Sequence, residues 1–419
     1  MMNYLKRGLH ATAVVLSLAQ FSFASNNVNR YFPLLERPST YVQSKGSSLT
    51  GSALYMLGST ADKRGGGKVG IPELWGKYDL RDVIESYLTV NPAANNPAQV
   101  VMGNNAWVNQ NLPFSVSGRI EGVGLLLNGQ LETGLRGLWL GAQLPIMSIR
   151  SSTRFNLNLQ TSPENTILAD RIRRYTHEQL GFKLNQVTKS GLGDLDAHMR
   201  FQAMFDHVLL MRTINLAFQT GVLAPTGISR DVQVPAAVPV GSDGHWGMYV
   251  DFAPAFELKQ DITVGALLGL THLFSRTKNV RLPVNKEPAI FSALVAKTYT
   301  EPGFTLKLSP YLTLGNLSDG LDFQVRYTYL RHAMDTQIDV RDDKTVPSYL
   351  QRDADLIART KDLSKWRAHY MTFSLSYDTA VAMEKIKFAP CLFISYDMPM
   401  NSNAFTKTHV VQLGLELHF

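Results

Sequence analysis

The chain has a single cysteine in 419 residues, Cys391, which excludes internal disulfides and paired-thiol metal sites. Charge is scarce as well. Asp, Glu, Lys and Arg together make 18% of the chain, against about 25% in an ordinary soluble domain. The formal excess of +7 is spread over the whole length with no basic block, so no nucleic-acid partner is expected. Downstream of residue 24 no apolar run reaches the ~20 residues that a membrane helix needs. Motifs for chemistry are missing too. There is no G-x-S-x-G elbow, and Gly65-Gly66-Gly67-Lys68 lacks the rest of a P-loop. His198, His245, His369 and His418 stand apart from any metal-ligand spacing. Catalytic residues, metal and cofactor are therefore all expected to be none, and the chain is not read as an enzyme. Ser242, Asp243 and His245, grouped in one loop, are the nearest approach to a hydrolase.

What is present is apolar and regular. Apolar residues make 45%, which excludes disorder, and 31 Gly with 10% aromatics favour β-structure. Lys6 and Arg7 precede an uncharged stretch from Leu9 to Ala19, and Ser22-Phe23-Ala24 supplies small residues for cleavage. Residues 1–24 are predicted to be a secretory signal peptide and 25–419 one domain.

From residue 115 onward the dominant period is two. Trp246, Met248, Val250, Phe252, Pro254, Phe256 and Leu258 share one face, with Tyr249, Asp251 and Glu257 on the other. Similar runs cover 115–127, 131–145, 192–206, 209–223, 262–274, 304–314, 321–329, 366–378, 384–397 and 407–419. Each is about 13 residues long, whereas soluble strands average about 5 or 6 and membrane strands need about 9 to 11. Tight connections near 128–130, 207–208, 259–261, 316–319 and 379–383 alternate with long ones at 146–191, 224–244, 276–302 and 334–365. Short periplasmic turns and long outer loops alternate in this way in outer-membrane barrels. An inward first strand at 115 demands one more before it, at Thr50 to Gly58, with 100–110 the competitor. The fold class is thus all-β, a transmembrane antiparallel barrel of about twelve strands in the outer membrane, with both termini periplasmic. Residues 26–114 are read as an irregular segment holding one strand and a short helix at Leu80 to Leu88, and helical patterns recur at 164–180 and 349–361.

The parity that puts apolar side chains in lipid leaves Asp196, Arg200, Asp251, Glu257, Lys307, Asp322, Arg326, Lys387 and Glu416 facing the lumen. Eight strands just fill with side chains and 16 to 18 leave an aqueous channel, so twelve imply a narrow conduit. Asp322 and Arg326, with Lys307 on the neighbouring strand, are the expected constriction.

Two stretches carry a resemblance. Val411, Leu413, Leu415, Leu417 and Phe419 share one face of the last strand, which resembles the terminal signature read by barrel-insertion machinery. Gly191-Leu192-Gly193-Asp194-Leu195 opens a strand and Gly221 to Gly227, ending Ala224-Pro225-Thr226-Gly227, closes the next. This hairpin, together with Trp139 to Pro145, resembles the outer-membrane transporters associated with the meta-pathway of phenol degradation. The resemblance implies a channel for small, often hydrophobic organic solutes with no catalytic residues. Outer-membrane lipid, the insertion machinery and a small-molecule solute are accordingly the expected partners. The expected function is passive uptake through a narrow polar lumen. The alternatives are an adhesive or structural barrel with a blocked lumen and, less favoured, the hydrolase.

Overall fold

The computed structural model describes residues 29–32, 46–103, 111–157, 163–183, 185–208, 211–348, 351, 354–379 and 390–419. Twelve strands close on themselves: β1 Ser48–Asp62, β2 Pro113–Glu132, β3 Leu138–Leu157, β4 Leu195–Val208, β5 Met211–Ala224 and β6 Gly247–Lys259. The circuit continues through β7 Ile262–Leu273, β8 Thr305–Ser318, β9 Leu321–His332, β10 Trp366–Asp378, β11 Pro390–Asn403 and β12 Phe405–His418. Every strand pairs antiparallel with its sequence neighbours. β1 completes the ring by pairing with β12 (Ser48↔His418) and with β2 (Ser48↔Gln130). No edge is left open, which is what a bilayer requires of a β-structure.

The alternation read from sequence becomes inside and outside. In β12 Val411, Leu413 and Leu415 are exposed, and Val410, Gln412 and Glu416 are buried. Phe252, Leu268, Leu308, Phe373 and Ile394 continue the exposed apolar belt around the barrel. A belt of this extent on a closed barrel is a lipid-facing surface. Trp246 and Phe304, both exposed, mark its outer edge. Leu308 pairs directly with Leu268 inside this belt. Replacing Leu308 with Arg should destabilise the barrel by about 2–4 kcal/mol. Reversible urea unfolding in lipid vesicles measures this, and a loss under about 1 kcal/mol would move Leu308 out of the hydrocarbon.

Turn positions explain where the strands reverse. Asp261 (φ 64°) and Gly320 (φ 81°) occupy left-handed positions in the turns after β6 and β8. The long connections lie at the opposite, outer end, where β11 and β12 are joined more tightly at Ala404 (φ 55°).

Three expectations change. The turn expected near 128–130 is not there: β2 runs on to Glu132 and the reversal falls at 133–137, where Thr133 donates its N–H to the Leu138 carbonyl (3.0 Å). Asn128 is an inner-wall residue opposite Thr50, so the sheet overrides the local turn preference. β3 accordingly starts at Leu138 and extends to Leu157, well past residue 145, where its upper half pairs with a short strand at Gln186–Leu192. Nor is the described N-terminal part periplasmic. Asn29 donates to the carbonyl of Pro239 (2.8 Å), in an outer loop, while Ser47 pairs with Phe419 at the inner end. Residues 26–114 hold a second helix as well, described below. The predicted signal peptide and Lys387 lie outside the described residues.

Candidate functional site: a capped outer mouth and a charged lumen

The outer end is covered by a cap from three loops. Helix α1, Leu80–Val90, spaces Leu80, Val83, Ile84 and Tyr87 on one buried face, and its N-cap Asp79 accepts from Arg81 N–H and Leu112 N–H (both 3.0 Å). Helix α2, Pro97–Met102, is bounded by an Asn96 N-cap and a left-handed Gly103. Helix α3, Pro163–Gln179, brings His177 into an aromatic cluster with Tyr78, Phe114, Phe155 and Phe291. Tyr78 meets Phe291 edge to face at 5.0 Å (interplanar 90°), the arrangement that ring quadrupoles favour. The Tyr78 hydroxyl and His177 Nε2 also share a hydrogen bond (2.8 Å).

Burial, reinforced by the nearby cations Arg173 and Arg281, pushes the His177 pKa down to about 3. Its folded value lies below the ordinary 6.5, so the unfolded cap takes up the proton first. The stabilisation is complete above pH 6.5 and is lost progressively between 6.5 and about 3. At pH 4.5 the cap should be weaker by about 2–3 kcal/mol than at pH 7.5. Hydrogen exchange of the α1 and α3 amides, corrected for intrinsic rates, should show this difference and should lose it in His177→Gln. An identical pH response in that variant would place the effect elsewhere.

Beneath the cap lies a cavity of about 330 Å³, walled by Trp75, Arg230, Asp243, Arg276, Asp335 and the N-terminal residues 29–31 among others. Arg30 extends over the Trp75 ring (4.7 Å to the centroid) and donates through Nη2 to the carbonyls of Leu363 (2.7 Å) and Ser364 (3.0 Å). Those carbonyls belong to the C-terminal end of helix α4, Ala354–Ser364, a site that favours a cation. Tyr31 and Phe32 point down into the barrel and pack on Leu54, Met56, Ile120, Met147, Ile149 and Val410 of its inner wall. Two further bonds hold the segment. Thr406 N–H donates to the Arg30 carbonyl (3.3 Å), and the Thr408 hydroxyl donates to the Tyr31 carbonyl.

Below this apolar stopper the lumen is charged. On β4 to β6, Tyr249 donates to both carboxylate oxygens of Asp196 (2.9 Å each) and accepts from Gln219 Nε2 (2.7 Å), while His198 approaches the same carboxylate at 3.4 Å. Arg200 and Asp251 lie one turn of the alternation deeper, within electrostatic reach of each other. On β8 to β11, Lys307 and Arg326 lie within electrostatic reach of one carboxylate, Asp397, which accepts from Thr372 Oγ1 (2.6 Å). Tyr311 stands within reach of both Arg200 and Arg326 and joins the two groups. Its ring fits because β7 carries Gly265 opposite: a Cβ there would come within 2.4 Å of the Tyr311 hydroxyl. Lys307 and Arg326 are only 1% exposed, so side chains fill the lumen around them.

The residues proposed from sequence divide by depth. Asp196 lies near the outer end, and Arg200, Asp251, Lys307 and Arg326 lie at middle depth. The other three are at the inner end: Glu257 with Arg212 (3.5 Å), Glu416 with His418 (3.5 Å), and Asp322 accepting the Asn316 N–H (2.8 Å). Asp322 therefore does not meet Arg326 and Lys307. Asp397 does, and the sequence reading missed it because it treated residue 397 as a strand end, whereas β11 runs on to Asn403. Tyr249, placed on the polar face with Asp251, was left out of the lumen set because only charged residues were counted, and Tyr311 was missed as an aromatic residue at polar parity. The loop trio does not assemble as a catalytic group. Ser242 donates to the His245 backbone carbonyl (2.5 Å), the His245 ring faces the Phe274 carbonyl (2.9 Å), and Asp243 binds Lys278.

The hairpin motif has a structural explanation. The Thr226 hydroxyl donates to the Gly193 carbonyl (2.7 Å) and accepts from Leu195 N–H (3.0 Å), while Asp194 accepts from the N–H groups of Gly227 (3.1 Å) and Ser242 (2.5 Å). Both ends of the motif thus lock the start of β4, the end of β5 and the following loop together.

No family model matches the chain, and no curated protein does. Among solved structures it is similar to an outer-membrane channel from Pseudomonas putida F1, at 11% identity over 92% of this chain and 100% of that one, with a TM-score of 0.48. It is also similar to a FadL homologue from Pseudomonas aeruginosa (10% identity, 90% and 91% covered, TM-score 0.31). A third likeness is to the translocator domain of the autotransporter NalP from Neisseria meningitidis (11% identity, 90% of each chain, TM-score 0.32). Likenesses this distant carry nothing about cargo; the chain's own strand pairing and exposed belt make it a twelve-stranded outer-membrane β-barrel.

Proposed function

We propose that the chain is a gated outer-membrane channel that admits small organic solutes passively through a polar lumen. The observation that carries this reading is the inner wall of the periplasmic half. Thr50, Asn128, Gln130, Asn215, Gln324 and Gln412 point inward there, each with a buried polar atom that has no hydrogen-bond partner among the described residues. An unsatisfied buried polar atom costs about 1–3 kcal/mol, so a permanently sealed core would pair such groups or replace them with apolar ones. A wall that meets water and solute in its open state needs them as they are. The hairpin resemblance supports a small organic cargo, and the terminal strand ending in Phe419 supports delivery by barrel-insertion machinery.

The stopper formed by Tyr31 and Phe32 favours a second reading, a surface barrel whose lumen never opens. Reconstitution of the full-length protein into planar bilayers separates the two. The channel reading expects discrete conductance steps, rare in the native protein and frequent once the stopper is weakened. Silence from both forms would leave the closed surface barrel.

A further inference from the structure

We propose that the cavity beneath the cap is a binding site for a small organic anion, with the carboxylate held by Arg30 and Arg230. Both guanidiniums lie over the same indole, Arg30 at 4.7 Å and Arg230 at 5.6 Å from the Trp75 centroid. Trp75 stabilises each of them by cation–π attraction, yet it adds no negative charge to offset their mutual repulsion. The carboxylates on the cavity wall act on the two guanidiniums only through space, Asp335 on Arg30 and Asp243 on Arg230, because their hydrogen bonds go elsewhere. Asp335 takes His332 Nε2 (2.9 Å) and the Gly303 N–H (2.9 Å). Asp243 takes Lys278 and the Arg230 N–H (2.7 Å), and Asp231 faces Lys189 (4.0 Å) and the Gln233 N–H (2.9 Å).

What remains is a donor with nothing to donate to. Arg30 is 7% exposed, and its Nη1 has no hydrogen-bond partner among the described residues, although Nη2 of the same group makes two bonds. A buried charged N–H without an acceptor is unfavourable, and a carboxylate is the group that best matches a guanidinium fork. Arg30, Arg230, Arg276, Lys278 and Arg281 line the cavity against Asp231, Asp243 and Asp335, so even with Lys278 paired to Asp243 the wall keeps a positive excess that favours an anion. The volume of about 330 Å³ falls at the lower end of the range for small-ligand sites, which limits the solute to one ring or a short chain. The apolar edges of Trp75, Ile290 and Leu273 provide the surface that such a ring would cover.

This inference rests on the channel reading for its biological sense, since it names the class of solute that would enter, but its test does not use conductance. The full-length protein in detergent is titrated by calorimetry with benzoate and with benzamide, its uncharged analogue. Saturable binding of benzoate, at least tenfold tighter than benzamide, is expected, together with at least a tenfold loss in Arg30→Gln. Arg230, which is less buried than Arg30, provides an independent variant: Arg230→Gln should weaken benzoate and leave the heat-modifiable gel shift of the folded barrel unchanged. Equal binding of benzoate and benzamide would overturn the site, as would native benzoate affinity in either folded variant. Benzoate binding without conductance would leave this inference standing and remove the channel reading; conductance without benzoate binding would do the reverse.

Discussion

Replacing Tyr31 and Phe32 together with Ser should turn a mostly closed barrel into one that conducts steadily. Phe32 is 1% exposed and Tyr31 6%, and both pack on apolar side chains from β1, β2, β3 and β12. Truncating a buried aromatic costs about 3–5 kcal/mol. Against the inner wall these two residues are otherwise held by the Thr406 and Thr408 bonds, each worth about 1 kcal/mol net, while Asn29 and Arg30 are anchored to the outer loops. Loss of both rings therefore removes most of what seats positions 31 and 32 against the inner wall. The barrel itself should survive, because its closure depends on backbone pairing between β1, β2 and β12, which the substitutions do not touch. Single-channel recording in planar bilayers should show a severalfold rise in open probability. Unchanged recordings, with the heat-modifiable barrel intact, would mean that the obstruction lies elsewhere.

Much of the barrel was legible because a lipid environment imposes one simple rule on every strand. Leu268, Leu308 and Leu413 had to face outward, and the period-two pattern then fixed the inner set. The tight turn at Asp261 and the helix at Leu80–Val90 follow from local chemistry of the same kind. The misreading at Asn128-Gly129 has a different origin. That dipeptide favours a turn in isolation, but the neighbouring strand β1 supplies a full set of partners for it, a long-range fact that no local window contains. The stopper and the cavity were illegible for a similar reason. Arg30, Trp75 and Arg230 are far apart in sequence and meet only after the barrel has closed and its loops have folded over it. Within the lumen, parity identified Lys307 and Arg326 but not the acid between them. Assigning that acid needed the true end of β11 at Asn403, six residues beyond Asp397.

The charge trio at mid-depth should set which ions pass once the stopper is gone. Lys307 and Arg326 contribute two positive charges against the single carboxylate of Asp397, and all three are almost fully buried in the closed barrel. Charges in a narrow low-dielectric passage act on a permeating ion far more strongly than charges at an exposed rim. On the Tyr31→Ser, Phe32→Ser background, Asp397→Asn should shift the reversal potential in a salt gradient toward anions, because it leaves both cations uncompensated. It should also lower the stability of the closed form by about 3–5 kcal/mol, the usual penalty for removing one partner of a buried pair. Arg326→Glu should act in the opposite sense and favour cations, since it exchanges a positive for a negative charge at the same depth. Asp322→Asn serves as the control. That carboxylate is bonded to the Asn316 N–H at the inner turn, where the lumen meets bulk solvent and salt screens its field. A reversal potential that moves with Asp322 and not with Asp397 or Arg326 would place the narrow point at the periplasmic end instead.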